Sequence, residues 1–268
     1  MPYAINDGVR IWWDEHGAGQ PVLLCMGHAY PAVMWHRAIP ALARQHRVLS
    51  FDNRGVGHSD APRPPYSIEQ MARDGLAVMD AAGVARAHVY GVSMGGLTAE
   101  ELALSHPERV RSLVLGCTGC VEPEDNPSRL PFGVQKALLG VAVRLNRLRS
   151  RKANRHYGVD ASEEIKADDL ALLQTSRVTT HGLIGQAIAV GTYSSRRRLA
   201  DLSIPTLVIH GDADDVVSVD KGKELASVIP GARLEILPGA GHNYLTEPFG
   251  KPSSLVLDFW ADVESTPT

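Results

Sequence analysis

The stretch Ala87-His88-Val89-Tyr90-Gly91-Val92-Ser93-Met94-Gly95-Gly96 decides the fold. Its opening residues are a short apolar run of the kind that makes a buried strand. The segment from Met94 to about Ser105, closed by Pro107, reads as a helix. Between them lies G-x-S-x-G, Gly91 to Gly95. In a strand-turn-helix setting this pattern forces its serine into an unfavourable backbone conformation, at a cost of roughly 1–3 kcal/mol, while the glycines let strand and helix approach. The hydroxyl of Ser93 is thereby held clear of the sheet. It also sits at a helix N-terminus, where free N–H groups and the positive end of the dipole favour developing negative charge. A bare Gly-Ser turn would lack the flanking strand and helix.

Working outward, Val9 to Trp13 follows a turn at Asn6-Asp7-Gly8, which predicts an N-terminal hairpin. Pro21 to Met26 and Arg47 to Phe51 are short branched runs expected of strands buried on both faces, with a helical segment between them. Ser67, with Gln70 three residues on, predicts a capped helix that stops near Gly83. Val110 to Leu115 is the next strand, and Ser203 to His210 and Ala232 to Leu237 restore the pattern later, with helices near 219–228 and 253–261. Such alternation predicts an α/β fold, a mostly parallel sheet flanked by helices. Between about Cys120 and Ala200 the strand signal disappears, and Pro123, Pro127 and Pro131 open a helical, polar stretch. The expected organisation is a discontinuous core, 1–119 and 201–268, with an inserted helical lid, 120–200.

A serine hydroxyl is a weak nucleophile at neutral pH and requires a base held in its productive tautomer by a third group. Asp214 follows one strand in Gly211-Asp212-Ala213-Asp214-Asp215, and His242 follows the next in Pro238-Gly239-Ala240-Gly241-His242. Both fall at carboxyl ends of strands, the edge at which ligands bind in a doubly wound sheet. The chain order Ser93, Asp214, His242 is that of the G-x-S-x-G hydrolases. Asp212 and Asp215 compete with Asp214 for the acid, either being able to cap the following helix, and Asp212 is the second choice.

Together, Phe51 to Asp60, Gly91 to Gly95, Gly211 to Val217 and Gly239 to His242 resemble the loops of the α/β-hydrolase superfamily, a likeness that covers everything except the lid. The resemblance implies an oxyanion hole made by the backbone N–H groups of Met94 and His28. Here Met26-Gly27 stands where many relatives have His-Gly, so the histidine is displaced to position 28, where its side chain could cap the loop or face substrate. Within the superfamily the chain is similar to enol-lactonases, small esterases and cofactor-free perhydrolases, His242 to Pro248 being of the lactonase type. The implied activity is hydrolysis of a carboxylic ester or lactone of a small molecule through an acyl-enzyme on Ser93. Carbon-carbon bond hydrolases share the triad and are the alternative, although their Gly- and Ser-rich loop after the third strand and their Trp after the histidine are missing. A non-catalytic ligand receptor on the same fold is a further alternative, against which the intact triad speaks. Ser93 at the elbow argues against dehalogenases and epoxide hydrolases, which carry aspartate there.

Composition narrows the field. With 44% hydrophobic and 21% charged residues and a formal net charge of -3, the chain reads as globular, with no reason to expect nucleic acid or an anionic membrane as partner. Cys25, Cys117 and Cys120 have no disulfide-framework spacing, and the N-terminal residues carry no charged leader or apolar run, so a cytoplasmic location is expected. The basic run Arg144, Arg147, Arg149, Arg151, Lys152 and Arg155 reads as a solvated lid surface. Arg196-Arg197-Arg198 either does the same or holds a substrate carboxylate. Gly55-Val56-Gly57 lacks the third glycine of a dinucleotide fingerprint and no His/Cys cluster has zinc spacing, so neither cofactor nor metal is implied.

Overall fold

The computed structural model describes residues 2–121, 156–246 and 251–265. Strands β1 (Tyr3–Asn6) and β2 (Val9–His16) form the expected hairpin. Asp7 and Gly8 take φ of 50° and 76°, the two positive values of a connection whose twist matches that of its strands. Six further strands follow: β3 (Gln20–Cys25), β4 (His46–Phe51), β5 (Ala87–Val92), β6 (Val110–Gly116), β7 (Thr206–Gly211) and β8 (Arg233–Leu237). They build one sheet in the order β1-β2-β4-β3-β5-β6-β7-β8. β2 pairs antiparallel with β4, and every pair from β4 to β8 is parallel.

Successive side chains of the central strands point to opposite faces and fill two cores. One face buries Leu23, Cys25, Val89, Leu113 and Val208 under α2 (Ile68–Ala81), α3 (Met94–Ser105) and α7 (Val219–Val228). The other buries Val22, Leu24, Tyr90, Val114 and Ile209 beneath Trp35, the short α1 (Ile39–Leu42) and α8 (Lys251–Ser265). The predicted capping box is present, with Ser67 and Gln70 satisfying each other's backbone N–H groups. Between β3 and β4 the expected helix is reduced to a single 3-10 turn, Ala32–Trp35, and to α1. Pro40 has no N–H with which to continue a helix begun upstream. β7 starts at Thr206 rather than Ser203, because Pro205 offers the ladder no donor and contributes only its carbonyl, to Leu113 N–H at 2.9 Å.

Of the segment read from sequence as a lid, residues 122–155 lie outside the described ones, and with them the three prolines and the basic run through Arg155. Residues 156–200 hold α4 (Glu163–Thr175), α5 (Thr180–Thr192) and α6 (Arg196–Leu199). This part is stitched to the loop after β4. Thr179 N–H donates to the carbonyl of Gly55 at 3.1 Å, Gly57 N–H donates to the carbonyl of Arg177 at 2.7 Å, and Val56 bridges Val178. The backbones meet so closely at Gly55 and Gly182 that a Cβ on either would strike the other, and Gly55 has φ of 88°.

Candidate active site

The chain leaves β3 toward β4 on one side and β5 toward β6 on the other, so the loops after β3 and β5 diverge at the carboxyl edge and open a crevice. Cys25 is registered against Gly91, which sets the two loops side by side. Ser93 stands at this point with φ 54° and ψ -124°, a conformation a non-glycine residue holds only where its surroundings impose it. Its N–H donates to the carbonyl of Gly116 at 2.8 Å. A Cβ on Gly91 would strike the carbonyl of Gly95, and one on Gly95 the carbonyl of Cys25. The glycines of the motif are therefore required by close packing of strand, turn and helix.

His242 and Asp214 reach the same place from the loops after β8 and β7. His242 Nδ1–H donates to Asp214 Oδ2 at 2.8 Å, leaving Nε2 as the ring nitrogen with a lone pair. The other oxygen, Oδ1, accepts the N–H groups of Val216 and Val217 at 2.8 and 2.9 Å. Burial works against ionisation of Asp214, but the hydrogen bonds from His210 and His242 outweigh it and hold the carboxyl well below the usual carboxylate range. Asp212, the competing acid, turns away and accepts the N–H of Gly239 at 2.6 Å.

Ser93 and His242 line one cavity of about 600 Å³, shared with Met26, His28, Met34, Leu173 and Asn243. Gly27 lies against Ser93, and a Cβ built on it would sit 3.3 Å from that of Ser93. The N–H groups of His28 and Met94 take no part in the hydrogen bonds among the described residues. The His28 ring contacts the carbonyl of Leu183 through Nε2 at 3.2 Å, and burial lowers its pKa. It thus ties the loop to α5 while also bordering the cavity. The arginines of α6 pair elsewhere, Arg196 with Glu224 and Arg198 with Glu101.

Four contributors had no sequence signal of their own. His210 Nε2 lies 3.4 Å from Asp214 Oδ2 and is a second partner for the acid. His156 sets its ring perpendicular to that of His242, centroids 6.1 Å apart, and its pKa is lowered by burial and then by His242. Asn53 Nδ2 donates to the carbonyl of Met26 at 2.9 Å and steadies the loop after β3. Gln186 of α5 donates to the carbonyl of Arg54 at 2.9 Å and accepts from Ala29, next to His28. Asn53, inside the quoted Phe51 to Asp60 loop, and His210, at the end of the Ser203 to His210 strand, stood in stretches that sequence reading had named, but neither was read as part of the site.

A family model for the alpha/beta hydrolase fold matches residues 20–248. RutD from Azorhizobium caulinodans, assigned as a carbamate hydrolase, is 32% identical over 98% of this chain and 100% of its own length. The 2-hydroxymuconate semialdehyde hydrolase of Pseudomonas sp. strain CF600 is 30% identical over 97% of this chain and 94% of its own. Among solved structures, the enol-lactonase from Burkholderia xenovorans LB400 superposes with a TM-score of 0.83 at 30% identity, covering 97% of this chain and 100% of that one.

Proposed function

Because this chain belongs to the α/β-hydrolase family and is a hydrolase, we propose that it cleaves a carboxylic ester or lactone of a small molecule through an acyl-enzyme on Ser93. The observation that carries this reading is the Asp214–His242 pair, joined at 2.8 Å and opening on the cavity that Ser93 enters from its strained turn. Ser93 Oγ attacks the carbonyl while His242 Nε2 takes its proton. The ionised Asp214 fixes the tautomer and stabilises the imidazolium. The N–H groups of His28 and Met94 receive the oxyanion, donors whose individual loss costs about 100- to 1,000-fold in turnover where measured. His242 then gives the proton to the leaving oxygen and, as base, activates the water that releases the acid. Segment 120–200 acts as a lid whose described part, with His156, Tyr157 and Leu173, walls the cavity. No cofactor enters this scheme, and a cytoplasmic setting suits the sparse, unbridged cysteines.

Purified protein and its Ser93→Ala variant, each given p-nitrophenyl esters of graded chain length and a set of lactones in the presence of chelator, test the reading. Turnover that disappears in the variant and persists in chelator is the expected result, and equal turnover by both proteins overturns it. The likeness to 2-hydroxymuconate semialdehyde hydrolase supports a second reading, carbon-carbon cleavage of a ring-cleavage-type diketone by the same triad. The likeness to RutD adds a carbamate to the panel. Ser93-dependent turnover of either, with esters and lactones untouched, would replace the first reading. A fluorophosphonate that fails to label Ser93 would point to a receptor.

A further inference from the structure

At the sheet edge opposite the candidate active site, three side chains without a part in hydrolysis converge. They are His46 at the start of β4, His88 near the start of β5, and Glu264 in the last turn of α8. His46 Nε2 lies 3.3 Å and His88 Nε2 lies 3.1 Å from the same atom, Glu264 Oε1, and the three lie within 4.8 Å of one another. The imidazole side chains are 6% and 0% exposed, whereas the carboxylate side chain is 32% exposed and leaves the group open to water on one side. We propose that His46, His88 and Glu264 bind a divalent cation of the zinc class.

Both nitrogen-oxygen separations come close to those around such an ion. Tetrahedral ligands about 2.0–2.2 Å from a zinc ion stand roughly 3.3–3.6 Å from one another. The two nitrogen-oxygen distances, 3.3 and 3.1 Å, lie at and just below the lower end of that range. A slight outward shift of the exposed Glu264 carboxylate brings both distances into that range. Two imidazoles and one carboxylate form a donor set suited to zinc, and the fourth position falls to solvent. The surroundings already orient the first ligands. Ser112 Oγ lies 2.7 Å from His88 Nδ1, in the outer position that fixes which nitrogen of a metal-bound histidine is left to bind. The Trp260 ring packs against both imidazoles, with centroids 4.8 Å from His46 and 5.3 Å from His88. A bound ion would pin the last turn of α8 to the first residues of two central strands. Its role is structural, since Ser93 lies at the other end of β5.

The ligands are 42 and 176 residues apart in the chain (88 - 46 and 264 - 88), which is why no spacing motif marks them. The test uses the full-length protein, free of any affinity tag and stripped with chelator, then titrated calorimetrically with zinc chloride. One equivalent is expected to bind and to raise the melting temperature. Glu264→Gln, a substitution at the exposed ligand, is expected to weaken binding at least about tenfold, and Ser112→Ala about 10- to 100-fold as an outer-shell change. Quenching of tryptophan fluorescence by Cu(II), through Trp260, is expected in the wild type and lost in Glu264→Gln. Absence of saturable zinc binding overturns the proposal, as does binding of unchanged affinity in Glu264→Gln. Ester hydrolysis in chelator is expected to be the same for both proteins, so this result and that on the hydrolytic reading are independent.

Discussion

Gln186 Oε1 accepts the N–H of Ala29 at 2.7 Å, from a helix 157 residues further along the chain. Ala29 has φ of 61°, unusual for a residue with a Cβ, and follows His28, whose own N–H is the proposed oxyanion donor. The fully buried Gln186 holds this peptide in place while donating to the carbonyl of Arg54. Gln186→Ala is expected to lower kcat about 10- to 100-fold, because a displacement near 1 Å at a reacting centre costs about that much. KM should change little, and affinity for a boronic acid that mimics the tetrahedral adduct should fall in parallel with kcat. Loss of kcat with unchanged boronate affinity would remove Gln186 from the oxyanion loop's support.

The two aspartates of the β7 loop are separated by their partners. Asp214→Asn is expected to reduce turnover by on the order of 10,000-fold, since the amide favours the wrong histidine tautomer. Asp212→Asn, which alters only the contact to Gly239, should stay within about tenfold of wild type. Kinetics of the two variants on one ester settle the acid, and comparable losses would refute the assignment.

Glu100 is fully buried in α3, and burial pushes its carboxyl up to about 8. The unfolded chain releases this proton near pH 4.3, so the native state binds more protons between that pH and about 8. Over this interval native stability declines with rising pH on account of Glu100. The neutral isostere Glu100→Gln should therefore melt at a higher temperature than wild type at pH 8, with the gap closing as pH falls toward 4.5. Parallel melting curves across that range would contradict the argument.

Arg54 clasps Asp74 through two hydrogen bonds of 2.7 Å, the side chains being 3% and 1% exposed. Removing one partner leaves a buried charge unpaired, so Asp74→Ala is expected to cost about 3–5 kcal/mol in urea unfolding. The double variant Arg54→Met, Asp74→Leu should lose much less. If the double variant is as unstable as the single one, packing rather than charge governs this position.

Legibility in the sequence followed the range of the interactions involved. Ser67 and Gln70, three residues apart, announce their cap, and Gly91 to Gly95 announce the turn because local sterics determine it. Ser93, Asp214 and His242 could be placed because each follows a strand whose end sets its position at the sheet edge. Gln186 and His156 act through contacts with residues far away in the chain, and His210, only four residues before Asp214, meets it because the loop after β7 folds back on its strand. Glutamine or histidine in a helix, a strand or a linking segment carries no mark of such a partner. Pro40 and Pro205 were visible from the outset, yet the shortened elements they impose became plain only once hydrogen-bonding neighbours were known.

The seam at Gly55 and Gly182 bears on how such enzymes can be recombined. Because the strip 177–182 is fastened to the turn 55–57 by main-chain bonds and by two glycines that leave no room for side chains, that strip and this turn form one inheritable unit. Exchanging the proposed lid, 120–200, with the matching segment of a relative would separate halves of a fitted joint. A chimera that also carries the donor's turn after β4 keeps the joint intact, and that turn marks where modular exchange of specificity in this scaffold has to be cut.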